Sequence, residues 1–162
     1  MLQFDEINSA DMGRVVSISK ETWFITYRTI ISTEQIAFMY EKMYTLKALN
    51  EQLQKGDHFV VFSMDGVDAG FFSYSLKDNL SLLKIPKLYI LPSFQGRKIG
   101  REVIGQIKKI GKTQGVSFIE LNVNRNNPAV NFYLKTGFWI KETVDIPYFD
   151  FVLNDYVMVQ NI

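Results

Sequence analysis

Arg97, Lys98 and Arg101 crowd the point near Gly100 where an amphipathic helix begins, after a polar turn that follows the apolar run ending at Leu91-Pro92. A helix N-terminus carries partial positive charge, so cations gathered there cost stability unless an anion sits among them. The free N–H donors of a first helical turn, with those of the preceding loop, form a ready cradle for such an anion. The chemistry these residues suit is the binding of a phosphate-bearing ligand at the end of a strand. An exposed basic turn ahead of a solvated helix start is the plainer alternative.

Other side chains narrow the reaction types. The chain has no cysteine and a single histidine, His58, which excludes disulfides, thiolate metal sites and a cysteine nucleophile and weakens any Ser-His-Asp proposal. His58 follows a Gly-Asp turn and reads as a solvent-edge residue at a strand start. Gly96 and Gly100 do not complete the G-x-G-x-x-G of a dinucleotide fold, and no G-x-x-x-x-G-K-[ST] is present. Trp23, Tyr27, Tyr40 and Tyr44 can frame a cation or an amine, with core packing the simpler reading for each. Tyr133, taken from spacing alone, is an aromatic core residue on an amphipathic helix.

The elements that must position these residues follow from local pattern. Residues 2–7 alternate as a strand. Ser9 or Asp11 can cap a helix whose shared face is Met12, Val15, Val16, Ser19 and Trp23. Ser32-Thr33-Glu34-Gln35 is a capping box ahead of Ile36, Met39, Tyr40 and Met43, and Thr45 caps a short helix carrying Leu46, Leu49 and Leu53. Two apolar runs, 58–64 and 67–75, flank Asp65-Gly66 and predict a hairpin. Residues 76–82 read as a loop, and 83–91 as a strand with Pro86 at a bulge or edge. A helix over about 100–114 presents Val103, Ile107 and Ile110, closed by Gly115. Then come a strand at 118–123, a helix with Asn127 as N-cap and Pro128 first inside it, and strands at 138–144 and 156–160. Tyr148, Phe149 and Phe151 line an opening or bury against the sheet, and Asp155 reads as a turn residue.

The 162 residues are 47% apolar and 22% charged, ordinary for a globular chain, with a high aromatic share of 14%. One domain, 1–162, accommodates them, its N-terminal helices at about 9–55 and a ligand-binding core at about 83–138. A net charge of +1 gives no electrostatic case for nucleic acid or an anionic membrane. No apolar run approaches the ~18 residues of a membrane span, and no basic region followed by an apolar stretch opens the chain. The expectation is a cytoplasmic protein.

Leu88-Tyr89-Ile90-Leu91-Pro92, Gln95-Gly96-Arg97-Lys98-Ile99-Gly100, Leu121-Asn122-Val123 and the block Ala129 to Phe138 occur in a familiar order and separation. The last block follows A-x-x-F-Y-x-x-x-G-F. In these features the whole chain resembles the GNAT N-acetyltransferase superfamily, and more specifically the spermidine/spermine acetyltransferase-like branch of small bacterial enzymes. The resemblance implies an α+β (three-layer) fold with a mixed, strongly twisted sheet of about six to seven strands flanked by helices. It implies acetyl-CoA as acetyl donor, no metal, and an amine acceptor, either a small molecule or a peptide or protein. Leu88, Tyr89, Ile90, Gln95, Gly96, Arg97, Lys98, Ile99, Gly100 and Arg101 would bind the cofactor, joined by Asn126 or Asn127. The N–H near Ile90 would meet the thioester carbonyl, and Tyr133 would protonate the departing thiolate. A homodimer through the late strands is compatible with the pattern.

Two departures from the family pattern stand out. Lys98 occupies the middle glycine of Q/R-x-x-G-x-G/A, which costs stability or affinity if that position needs positive φ, while the added cation beside a pyrophosphate offsets the loss. The strand ahead of the turn has Lys84, Pro86 and Lys87 where related enzymes often place a glutamate. A primary ammonium with a pKa of about 10.4 must lose a proton before it attacks. Glu21, Asp78, Glu120 or a water chain are the candidates to receive it. These departures keep open a non-catalytic acyl-CoA-binding or regulatory module, with an interaction domain lacking any CoA site as a third reading.

Overall fold

Polar residues at the right places start the helices, and apolar runs of matching period make the strands. A computed structural model describes every residue except Asp78 and Leu80, so Asp78 and part of the expected 76–82 loop lie outside the described residues. Among these are seven strands in the hydrogen-bonded order β1-β2-β3-β4-β5-β7-β6, and five α-helices. The strands are β1 (Leu2–Ile7), β2 (His58–Met64), β3 (Val67–Lys77), β4 (Leu82–Ile90), β5 (Phe118–Asn124), β6 (Trp139–Tyr148) and β7 (Phe151–Asn161). The helices are α1 (Met12–Tyr27), α2 (Thr33–Met43), α3 (Leu46–Gln54), α4 (Ile99–Thr113) and α5 (Ala129–Lys135). β4 pairs with β5 in parallel, while β1 with β2, β2 with β3, β5 with β7 and β6 with β7 pair antiparallel, so the sheet is mixed as the resemblance implied. The chain forms two compact units, residues 1–75 with 87–100 and residues 76–86 with 101–162.

In the first unit β1 pairs with β2 from Leu2↔Met64 to Ile7↔Phe59, and β2 turns into β3 through Asp65 and Gly66, with φ of 51° and 78°. Two positive φ values in a two-residue loop match the twist of the flanking strands, as the Asp-Gly pair predicts. Phe59, Phe62, Phe71 and Phe72 are fully buried, with Met12, Val15 and Leu49 from the helices. Ser19 and Thr22, also buried on α1, donate to the carbonyls of Val15 and Ile18 at 2.8 Å, which removes the cost of burying their hydroxyls. Ser32 Oγ accepts from Gln35 N–H at 3.1 Å and Thr45 Oγ1 from Ala48 N–H at 3.2 Å, as expected of caps. The first helix differs. Asp11 stands at the N-cap position of α1 but its side chain makes no capping bond, while Asn8 caps the short 3-10 turn that leads into α1, accepting from the N–H groups of Ala10 and Asp11.

In the second unit the first half of β4 pairs in parallel with β5, from Leu82↔Phe118 to Ile85↔Leu121. α4 buries Val103, Ile104 and Ile107. Its end is a Schellman motif, with Gly115 N–H donating to Lys112 O and Val116 N–H to Gly111 O, at 3.1 and 3.0 Å. Asn127 Oδ1 accepts from Ala129 N–H at 2.9 Å at the start of α5. The two last strands are longer than their sequence suggests: β6 runs to Tyr148 and β7 begins at Phe151, joined by Phe149 and Asp150. Phe149 has φ of 53° and is exposed at the hairpin tip, so it does not bury against the sheet. Asp155 is a strand residue inside β7, not a turn residue.

Candidate active site

The first unit carries the end of β4 and the basic turn. Gly70 on β3 lets the backbones close up here: a Cβ on it would meet the carbonyl oxygen of Tyr89 and the ring of Phe62. Leu91 N–H then donates to Ala69 O at 2.8 Å. Leu88, Tyr89 and Ile90 thus end a strand fixed along one side. Gln95 reaches back, its Nε2 donating to Ile90 O at 3.2 Å, so the turn is tied to the strand end it follows. Between them Pro92–Phe94 make a 3-10 turn.

Gly96 and Lys98 both take positive φ, 78° and 62°. Lys98 therefore adopts the left-handed conformation that its glycine-like place in the motif anticipates, at a cost of about 1–2 kcal/mol for a residue with a Cβ. Left-handed residues alternating along a turn suit a nest of N–H groups, and this turn leads into α4, whose first donors lack intrahelical acceptors. Gln95, Gly96, Arg97, Lys98 and Arg101 are exposed, Ile99 and Gly100 are buried, and space is open beside Gly96. The Arg97 guanidinium lies 5.2 Å from the centroid of the Phe94 ring, which orients it along the turn. This donor set, cationic and rich in free N–H, fits a pyrophosphate.

Behind the strand end is a cluster that spacing alone did not assemble. Trp23, Tyr27, Tyr44 and Tyr89 pack ring against ring, with Trp23 4.4 Å from Tyr27 and 4.8 Å from Tyr44 between centroids. The hydroxyls of Tyr44 and Tyr89 are 2.8 Å apart. Burial, reinforced by Tyr27 and Tyr44, pushes the Tyr89 phenol well above its ordinary range. Lys87 enters this cluster from β4, buried, with Nζ 2.6 Å from Gln52 Oε1 and 5.3 Å from the Tyr44 ring centroid. Burial pushes its ammonium down to about 8, against a weaker opposing pull from Asp57. The cation that the aromatic residues can frame is thus one of the chain's own. Its signal in the sequence was one of two lysines, with Lys84, in a mostly apolar strand.

The second unit carries Arg101, Asn126, Asn127 and Tyr133. Tyr133 is buried on α5, edge-on to Phe132 and Phe138 at 5.3 and 5.5 Å. The loop before it is built by its own asparagines, with Asn124 Oδ1 accepting from Asn126 N–H at 2.9 Å beside the Asn127 cap. Glu120 is held by Lys84 at 2.7 Å and Lys141 at 3.7 Å. Lys84 also donates to Asn122 Oδ1 at 2.5 Å. Burial raises the Asp155 carboxyl above its ordinary value, opposed by a hydrogen bond from Asn122 and by Arg125 and Lys84. His58 lies in the first unit against Glu6 at 2.8 Å and stacked on Tyr74 at 4.6 Å, far in sequence from the turn and partly exposed as expected. Glu21 is exposed on α1. Among the described residues no cluster of three His, Asp or Glu side chains is placed to hold a metal, and no helix is long and apolar enough to cross a membrane.

Comparison with known proteins brings these parts under one description. The acetyltransferase (GNAT) domain family matches residues 28–145. A spermidine N(1)-acetyltransferase of Thermoplasma acidophilum is 26% identical over 148 residues, spanning 88% of this chain and 91% of that protein. An uncharacterized N-acetyltransferase of Lactobacillus delbrueckii subsp. lactis is 26% identical over 140 residues, 82% of this chain and 81% of its own length. The fold is shared with the PaiA N-acetyltransferase of Thermoplasma acidophilum, solved in complex with coenzyme A, at a TM-score of 0.84 and 23% identity over 100% of this chain and 99% of that one. The chain belongs to the GNAT acetyltransferase family, acetyl-CoA-dependent enzymes that transfer acetyl to an amine.

Proposed function

We propose that this enzyme acetylates a small-molecule amine by direct attack of the amine on acetyl-CoA, with no covalent enzyme intermediate. The carrying observation is the left-handed Lys98: the turn keeps the backbone shape of the glycine motif and adds a charge to it. That weighs against a module whose phosphate cradle has decayed. In this reading Gln95, Gly96, Arg97, Lys98, Ile99, Gly100 and Arg101 hold the pyrophosphate through N–H groups and cations. Leu88, Tyr89 and Ile90 align the pantetheine arm, and Asn126 or Asn127 adds a contact. The cofactor supplies an activated acetyl thioester. The Ile90 N–H stabilises the charge that develops on its carbonyl oxygen, and the Tyr133 hydroxyl gives a proton to the departing sulfur. Spermidine is the first acceptor to try, because a relative spanning most of this chain is named for it.

Turnover of a panel of amines with acetyl-CoA, followed by mass of the acetylated product, tests the reading. The wild type is expected to acetylate at least one alkylamine. Tyr133→Phe is expected to lower kcat about ten- to a thousandfold while acetyl-CoA affinity by calorimetry is kept. Tight acetyl-CoA binding with no turnover on any amine would return the chain to the non-catalytic alternative. Equal loss of affinity and rate in Tyr133→Phe would make that tyrosine a packing residue.

A further inference from the structure

Among the described residues, the carboxylates that the sequence brought forward leave the acceptor ammonium's proton without a receiver, Asp78 lying outside them. Glu21 is exposed on α1, and Glu120 is committed to two lysines. The second unit holds another. β7 sets Asp155 opposite Asn124 on β5 and opposite Val144 on β6. Asn124 is the last residue of β5, and ligands of parallel strands bind beyond their carboxyl ends. The loop that leaves this end, carrying Asn126 and Asn127, is tied to β7 beside Asp155 by Arg125 N–H donating to Asn154 O at 3.0 Å.

We propose that Asp155 is the catalytic base, contacting the acceptor nitrogen and taking its proton; this rests on the acetyl transfer proposed above. The surroundings are arranged for that task. Lys84 Nζ, 2.5 Å from Asn122 Oδ1, fixes which end of the amide is left, so Asn122 Nδ2 is the donor that reaches the Asp155 carboxylate. The charged groups that face Asp155 are Lys84 from β4 and Arg125 from the loop after β5. On β6 Asp145 is drawn off by Arg125 and by Asn154, and Lys141 is drawn off by Glu120. Among the described residues of this unit Glu102, Glu142 and Asp150 are exposed, Glu120 and Asp145 are ion-paired, and Asp155 is partly buried without an ion pair. Burial makes its carboxylate hold a proton more firmly than a free aspartate does, while Lys84 and Arg125 keep it ionised until an ammonium arrives. In the step, one N–H bond of the ammonium breaks, this first proton moves to a carboxylate oxygen of Asp155, and the freed lone pair attacks the thioester carbon. The C–S bond then breaks, the departing thiolate takes the Tyr133 proton, and a second proton from nitrogen restores the Tyr133 hydroxyl. The proton on Asp155 then passes to solvent.

The test is kcat/KM against pH for wild type and Asp155→Asn, with acetyl-CoA and the panel amine that the wild type acetylates fastest. At neutral pH the variant is expected to lose about a hundred- to ten-thousandfold. The deficit is expected to shrink roughly tenfold per pH unit toward the amine's own pKa of about 10.4, because the variant can use only amine already neutral in water. Calorimetric acetyl-CoA affinity stays at the wild-type value. A deficit equal at every pH, or wild-type rates throughout, overturns the assignment. Should Asp155→Asn not fold, Asp155→Ser is measured in the same way and carries the same two expectations. A wild type that acetylates no amine overturns the reading beneath as well, and shows this before any variant is compared.

Discussion

Lys87 holds a charge where charge is expensive. Its ammonium, pushed down to about 8 by burial, carries a cost of about 3 kcal/mol relative to a solvated lysine, which the bond to Gln52 and the face of Tyr44 do not remove. The sign follows from proton counting. In the unfolded chain the group stays protonated to its ordinary value of 10.5, so between about 8 and 10.5 the unfolded state binds more protons and stability rises with pH. Below about 8 the full cost is present. Lys87→Met should therefore add about 1–3 kcal/mol at neutral pH and add little near pH 10, read as urea midpoints at the two ends of that window. Equal gains at both ends would remove burial of charge as the cause. Lys98 stores a smaller strain in its left-handed backbone. Lys98→Gly should add up to about 1 kcal/mol of stability and weaken acetyl-CoA binding by the loss of a cation. Lys98→Ala separates the two effects, losing affinity without gaining stability. A variant series in which affinity follows stability would contradict that separation.

Elements differ in how far local pattern reaches. The Asp65-Gly66 hairpin, the Ser32 and Thr45 caps and the Gly115 helix end are each settled within about six residues of chain, and each was legible. The full length of the late strands was not, because β6 exposes Trp139, Ile140 and Ile146 on both of its faces and so lacks the alternation that marks a half-buried strand. Asp155, inside Asn-Asp-Tyr, had the composition of a turn; only its register against Asn124 and Val144 makes it a strand residue. Lys87 was visible beside Lys84 as a charge in a mostly apolar strand, but Gln52 on α3 and Tyr44 at the end of α2, which give it meaning, lie 35 or more residues away. The role of Tyr133 came from the family pattern, since its burial alone is that of a core residue. Glycines repeat the contrast. Gly105 has open space where a Cβ would go, whereas Gly70 faces Tyr89 O and Phe62. Gly105→Ala should stabilise α4 by about 0.5–1 kcal/mol, and Gly70→Ala should cost about 1–3 kcal/mol or more as β4 is forced off β3. Thermal melts of both decide it; a neutral Gly70→Ala would mean that β4 shifts without loss.

Over the whole molecule 18 cations face 17 anions, a net charge of +1. A polyanionic cofactor therefore feels little attraction at long range, since the Debye length is only about 8 Å at physiological salt. In the proposed reading its electrostatic binding comes from Arg97, Lys98 and Arg101 acting at contact. The folded chain binds acetyl-CoA and the unfolded chain does not, so ligand at a hundredfold excess over Kd should add about 2.7 kcal/mol of stability. For a chain of this length that is a rise in Tm of roughly 5–10 °C. Arg101→Glu tests the source of the effect with two readouts of opposite sign. Arg101 is exposed in the first turn of α4, where an anion suits the helix dipole, so the unliganded variant should melt slightly higher, by about 0.3–1 kcal/mol. The same change opposes the pyrophosphate, so the rise with acetyl-CoA should largely vanish. Salt raised to about 0.5 M should shrink the wild-type rise in the same direction, because contact cations are then partly screened. A variant that keeps the full ligand-induced rise would move the phosphates away from this turn, whatever the unliganded melting temperature does.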